Sequence, residues 1–127
     1  SSSGELCCPP LPNVKEEDKK RVYYYSIFPN MLLSLHPEYV MYHTVWPIGI
    51  NRSKVTCSWL FTEEIINSND HKIEEAVDFW DMTNKQDWYI SELSQLGIQS
   101  KKYSPAPYSG QESLLAAFDK HYKKIIN

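Results

Sequence analysis

From Tyr39 to Phe61 apolar and polar side chains alternate more regularly than anywhere else in the chain. The runs Tyr39–Trp46 and Ser53–Phe61 flank a connection holding Pro47, Gly49 and Asn51, so the pattern predicts a β-hairpin. In its second strand Val55, Cys57, Trp59 and Phe61 fall on one face and Lys54, Thr56 and Ser58 on the other, the period of a half-buried antiparallel strand. Before it, Val22–Phe28 and Met31–Leu35 are short β-branched and aromatic runs separated by Pro29-Asn30, which reads as two strand segments broken by a proline kink. Beyond Ser68 the period changes from two to that of a helix. Asn69 or Asp70 can cap a helix with Glu74 and Glu75 in its first turn, running to about Leu96, where Gly97 supplies a stop. A last helix is expected from Ser109, which with Glu112 forms a capping box. Leu114, Leu115, Phe118, Tyr122, Ile125 and Ile126 give it an apolar stripe. Tyr103–Tyr108, with two prolines, is a stiff extended crossing between the helices. Strands followed by helices make the class α+β: an antiparallel sheet packed against a long helix and a C-terminal helix.

Residues 1–20 carry Pro9, Pro10 and Pro12 and then the mixed-charge run Lys15–Lys20, with no apolar period, and read as a linker. That leaves residues 21–127 as the folded part. The start at Ser1 rather than Met suggests a processed or excised product.

Composition adds exclusions. A net charge of −3, with Lys and Arg clustered only near the last turn, argues against a nucleic-acid partner. No apolar run reaches the roughly 18 residues of a membrane span and no signal pattern opens the chain, so a soluble, cytoplasmic protein is expected. Three cysteines, two of them the adjacent Cys7 and Cys8, fit neither a disulfide framework nor a metal-binding spacing and read as reduced thiols.

One residue stands out against the helical pattern. At 100° per residue Asp87 lies within about 40° of Ile73, Trp80, Thr83, Ser91 and Ser94, on the stripe that begins apolar and is expected to face the core. A buried carboxylate requires a partner or a metal. Asn84 and Ser91, one turn to either side, suggest that this part of the stripe lines a polar cavity. Spacing alone leaves three readings open: a metal ligand, an ion pair with a basic residue of the sheet, or a helix rotated so that Asp87 meets water.

The stretch Phe79–Gln95 (FWDMTNKQDWYISELSQ) resembles the C-terminal motif of Rieske oxygenase large subunits, where an acidic-plus-Asp pair precedes Glu-x-x-Gln. The similarity continues through Gly97, Ser100, Tyr103, Pro105, Pro107, Tyr108 and Ser109 into the Phe-containing last helix. It extends upstream to Tyr24–Pro37 and to the hairpin ending Trp59-Leu60-Phe61, so it covers roughly residues 21–127. Ser91 and Ala106 depart from the residues usual in relatives.

The resemblance implies a helix-grip-like catalytic domain in which Asp87 joins two histidines to hold a mononuclear Fe(II) for O₂-dependent hydroxylation, by a mono- or dioxygenase, of a small organic substrate. Trp80, Asn84 and Ser91 would lie near the iron or the substrate pocket. It implies a Rieske [2Fe–2S] cluster, NAD(P)H electrons delivered through a reductase or ferredoxin, and a homotrimer. The chain has no Cys-x-His or Cys-x-x-His element, and His36, His43, His71 and His121 lack the spacing of an iron-binding pair. The Rieske domain and the His-ligand segment are therefore expected in a missing N-terminal portion of the same subunit, with no catalytic residue acting in the isolated chain. The alternative is a non-catalytic helix-grip ligand-binding module, in which Asp87 would pair with Arg52 or Lys54.

Overall fold

Four strands pair consecutively into one antiparallel sheet in the order β1-β2-β3-β4, in a computed structural model that describes residues 4–68 and 72–127. The strands are β1 Tyr23–Ile27, β2 Met31–Leu35, β3 Val40–Gly49 and β4 Arg52–Leu60. Among the described residues three helices follow: the four-residue α1 Glu63–Ile66, the long α2 Ile73–Ile98 and α3 Ser113–Ile126. The class is α+β, as the period change along the chain predicts. Asn69 and Asp70, expected to cap α2, and His71 lie outside the described residues.

The β3–β4 hairpin forms where alternation is strongest. Met41 pairs with Trp59 and His43 with Cys57, and the register shifts between Pro47 and Gly49, where proline cannot donate to the ladder. The expected faces hold in β4: Val55, Cys57 and Trp59 are half-buried while Lys54 and Thr56 are exposed. The proline kink expected between the first two runs is instead a full reversal. Ile27 pairs with Met31 and Tyr23 with Leu35, and the Phe28–Pro29 peptide bond in the turn is cis. Only three residues, Phe28, Pro29 and Asn30, separate the two five-residue strands, and that is hairpin spacing.

The chain divides into two compact units, Ser1–Gln86 and Asp87–Asn127. The first holds the core: Tyr39, Met41, Ile65 and Ala76 are buried with Cys7 and Cys8, and Cys57, Trp59, Phe61, Ile73 and Trp80 pack against them. Among the described residues the N-terminal segment before β1 has no strand and a single 3-10 turn, Glu16–Asp18. Its cysteines nonetheless belong to this core, and Cys8 Sγ lies 3.7 Å from the Glu38 carbonyl oxygen. The Leu11 N–H donates to the Pro37 carbonyl at 2.7 Å, tying the proline-rich stretch to the β2–β3 connection.

In the second unit α2 passes through Gly97 and ends one residue later, since Gly97 stays out of the left-handed region that would terminate a helix there. The last helix begins at Ser113, four residues after the expected Ser109. Half of the capping box is present, the Ser109 N–H donating to Glu112 Oε2 at 2.6 Å, but it closes a turn ahead of the helix. The apolar stripe of α3 is exposed: Leu114, Leu115, Tyr122, Ile125 and Ile126 all stand open. No described helix is long and apolar enough to cross a membrane.

Candidate functional site

The face of α2 that meets the sheet is set by Ala76, Trp80 and Asn84, four residues apart and so stacked along one stripe. Ala76 is fully buried, which lets the helix backbone approach the sheet closely. One turn on, Trp80 donates its indole N–H to the Tyr39 hydroxyl at 2.8 Å. Tyr39 stacks on His36 with centroids 4.3 Å apart, and His36 meets Trp80 edge-on at 5.6 Å. Burial among these rings lowers His36 to about 4, because a protonated imidazole there would give up its water. The same burial pushes the Tyr39 hydroxyl up to about 12, with the Trp80 bond working the other way.

A further turn along, Asn84 is the one strongly polar side chain of this stripe, and it is buried. Its Oδ1 lies 3.0 Å from His43 Nε2, which therefore carries the proton and donates. The Asn84 side chain also hydrogen-bonds Cys57, whose thiol burial raises and this bond partly lowers again. His43 and Cys57 are direct partners across β3 and β4. The polarity of Asn84, from which a polar cavity is expected, is thus met by two side chains of the sheet. Two cavities of the first unit lie elsewhere: one of about 310 Å³ lined by Arg21, Tyr23 and His36, and one of about 370 Å³ lined by Pro9 to Pro12 and Glu38.

Asp87 follows Asn84 by three residues. The expectation that it faces the core is not met: it is exposed, as are Ser91, Glu92 and Gln95. Among the described residues its carboxylate enters no hydrogen bond or ion pair. The burial cost that makes a carboxylate on this stripe conspicuous therefore does not arise within this chain. Of the four candidates, Trp80 and Asn84 are held in the helix–sheet packing, and Asp87 and Ser91 are open.

His43 is the participant that sequence reasoning missed, since a single histidine on a strand carries no spacing signal. The available clue was joint: an inward Asn84 on the helix needs a partner, and His43 shares the inward face of β3 with Met41.

The chain matches the family described as ring hydroxylating alpha subunit (catalytic domain) over residues 3–127 and belongs to it. It is 36% identical over 72 residues to the glycine betaine monooxygenase oxygenase subunit of Pseudomonas aeruginosa (strain UCBPP-PA14), covering 57% of this chain and 17% of that protein. The corresponding subunit of Chromohalobacter salexigens is 32% identical over 81 residues, 64% of this chain and 18% of that protein. The matched segment therefore spans less than a fifth of these relatives. No solved structure matches the chain.

The donor set bears on the iron that this family implies. Among the described residues no three His, Cys, Asp or Glu side chains come together to hold a metal ion. Asp87 fits such a site as one hard anionic oxygen ligand, exposed and uncommitted.

Proposed function

We propose that the chain is part of the catalytic domain of a Rieske-type oxygenase alpha subunit, and that Asp87 is the carboxylate ligand of its mononuclear Fe(II). The observation that carries this reading is the free carboxylate of Asp87 inside the Phe79–Gln95 stretch of a chain that matches the family over residues 3–127. In the complete subunit Asp87 would hold the metal together with two imidazoles from elsewhere in the polypeptide, leaving positions open on one face. Iron bound there would supply O₂ activation, with electrons from a Rieske [2Fe–2S] cluster served by a reductase or ferredoxin. This chain's residues supply the anionic ligand and the helix that carries it, and one carboxylate alone does not retain Fe(II), so the isolated chain is inactive. The full subunit is proposed as a cytoplasmic homotrimer.

The second reading, a non-catalytic helix-grip ligand-binding module, differs in requiring no Fe(II) at Asp87, whose exposure leaves it in no need of an ion-pair partner. The relatives are named for glycine betaine, so the substrate class proposed is a small N-methylated ammonium compound. The full-length subunit, loaded with Fe(II) and supplied with its reductase and NAD(P)H, is expected to consume O₂ several-fold faster on addition of glycine betaine or a close analogue. No stimulation by any N-methylated ammonium compound, in protein shown to contain iron, would overturn the substrate class.

A further inference from the structure

We infer that the cavity of about 310 Å³ between the N-terminal segment and the sheet binds a small aliphatic carboxylate, with Arg21 and Lys15 receiving its charge and the facing ends of β2 and β3 its alkyl chain. The inference is independent of the iron reading, and every lining residue lies within the first compact unit. Leu35 and Val40, partners across β2 and β3, form the floor. They alternate with Ser34 and Met41, so the cavity lies on the face of the sheet away from Met41 and the core that α2 covers. Leu11 and Val14 form the wall. The Leu11 N–H donates to the Pro37 carbonyl at 2.7 Å and the Val14 N–H to the Leu11 carbonyl at 3.3 Å, while Asn13 between them takes a left-handed φ of 66°. Asparagine is among the few side chains that tolerate that conformation, so the local sequence suits the turn that holds the wall in place.

The rim sets the charge of the ligand. Asp18 Oδ1 accepts from the Tyr23 hydroxyl at 2.6 Å, and Arg21 Nη1 lies 3.9 Å from the same oxygen, too far for a hydrogen bond. Arg21 also hydrogen-bonds Tyr23, which leaves most of its five N–H donors open. Lys15 forms no ion pair among the described residues. Two cations thus line the cavity with one carboxylate, and that carboxylate is already engaged by Tyr23. A planar guanidinium suits a carboxylate, which it can hold through two parallel hydrogen bonds. An alkylammonium would face both cations. The floor sets the rest of the ligand, because Leu35, Val40 and the buried Pro37 offer only aliphatic contact. The volume is at the lower end of the roughly 300–1,000 Å³ of small-molecule sites, so the alkyl chain is short.

The test is calorimetric titration of the full-length subunit with hexanoate, beside the neutral hexanamide of the same chain length. Hexanoate is expected to bind one site per subunit, and hexanamide at least about 5-fold more weakly, the loss of charge-assisted hydrogen bonds discounted for an exposed rim. The double variant K15Q/R21Q is expected to weaken hexanoate by at least about 5-fold and to leave hexanamide unchanged. Asp18→Asn removes the one opposing charge while keeping an oxygen for Tyr23, and is expected to tighten hexanoate by about 2-fold. Lys15 and Arg21 are exposed, so the double variant is expected to fold, which far-ultraviolet circular dichroism checks. Asp87→Ala is expected to bind hexanoate like the wild type, whatever its effect on iron. Absence of hexanoate binding, equal binding of hexanoate and hexanamide, undiminished binding in K15Q/R21Q, or loss of binding in Asp87→Ala would each overturn the proposal.

Discussion

Asp87→Ala in the full-length subunit is expected to lower kcat/KM by at least about 100-fold while leaving the fold intact. Outer-shell partners of metal ligands are worth about 10–100-fold, so removal of a ligand sits at or beyond the top of that range. The fold should not suffer, because Asp87 is exposed and its carboxylate supports no ion pair among the described residues. Alanine also raises helix propensity by up to about 0.7 kcal/mol over aspartate. Loss of activity with unchanged or slightly higher stability is the signature of a residue whose role lies in the site. Asp87→Glu sharpens the contrast, since it keeps the charge but displaces it by one methylene, beyond the roughly 0.5 Å that a working site tolerates. Steady-state turnover beside urea unfolding of the same preparations checks both halves, and wild-type turnover in Asp87→Ala contradicts the assignment.

Acidification is expected to cost up to about 3 kcal/mol of stability through His36 alone. Its folded value of about 4 lies below the ordinary 6.5 because burial against Tyr39 and Trp80 disfavours the imidazolium. Between those values the unfolded chain takes up a proton that the folded chain refuses. The stabilisation is therefore complete above pH 6.5 and drains away as pH falls toward 4. Among the described residues the ring nitrogen Nε2 is buried without a hydrogen-bond partner, so no hydrogen bond there rewards protonation. Glu38 works in the opposite sense. Burial raises its carboxyl, so its folded form holds a proton more tightly, and its contribution improves as pH drops toward 4.5. The two separate by substitution. His36→Phe keeps a ring on Tyr39 and removes the titration, so the fall in unfolding free energy between pH 7 and pH 4.5 should shrink markedly. An unchanged pH profile in that variant would assign the acid sensitivity elsewhere.

What could be read from the sequence followed the range of the interactions involved. The β3–β4 hairpin was legible because its signal is local: alternation from Val55 to Phe61 on one side of a Pro-Gly-Asn connection. The family resemblance of Phe79–Gln95 was legible for the same reason. The reversal at Pro29 was half legible, since the break was plain but proline marks kinks and turns alike. The late start of α3 has a local cause too, the Ser109–Glu112 bond forming in a turn that stops short of the helix. Long-range pairings left little trace in the pattern. Cys8 meets the Glu38 carbonyl 30 residues away and Asn84 meets His43 41 residues away, and neither partner's neighbours announce the contact. Asp87 shows the limit of a helical wheel. The stripe read from the sequence ran through Ile73, Trp80, Thr83, Asp87, Ser91 and Ser94; the first three are half-buried and the last three exposed, because a wheel gives direction around a helix and not how far along it the covering extends.

The most direct measurement is anomalous diffraction at the iron edge from crystals of the full-length, iron-loaded subunit. The expected result is a peak within bonding distance of an Asp87 carboxylate oxygen, completed by two imidazoles from elsewhere in the polypeptide. An iron peak coordinated by other residues, with the Asp87 carboxylate free in solvent or paired with a lysine or arginine, would contradict it.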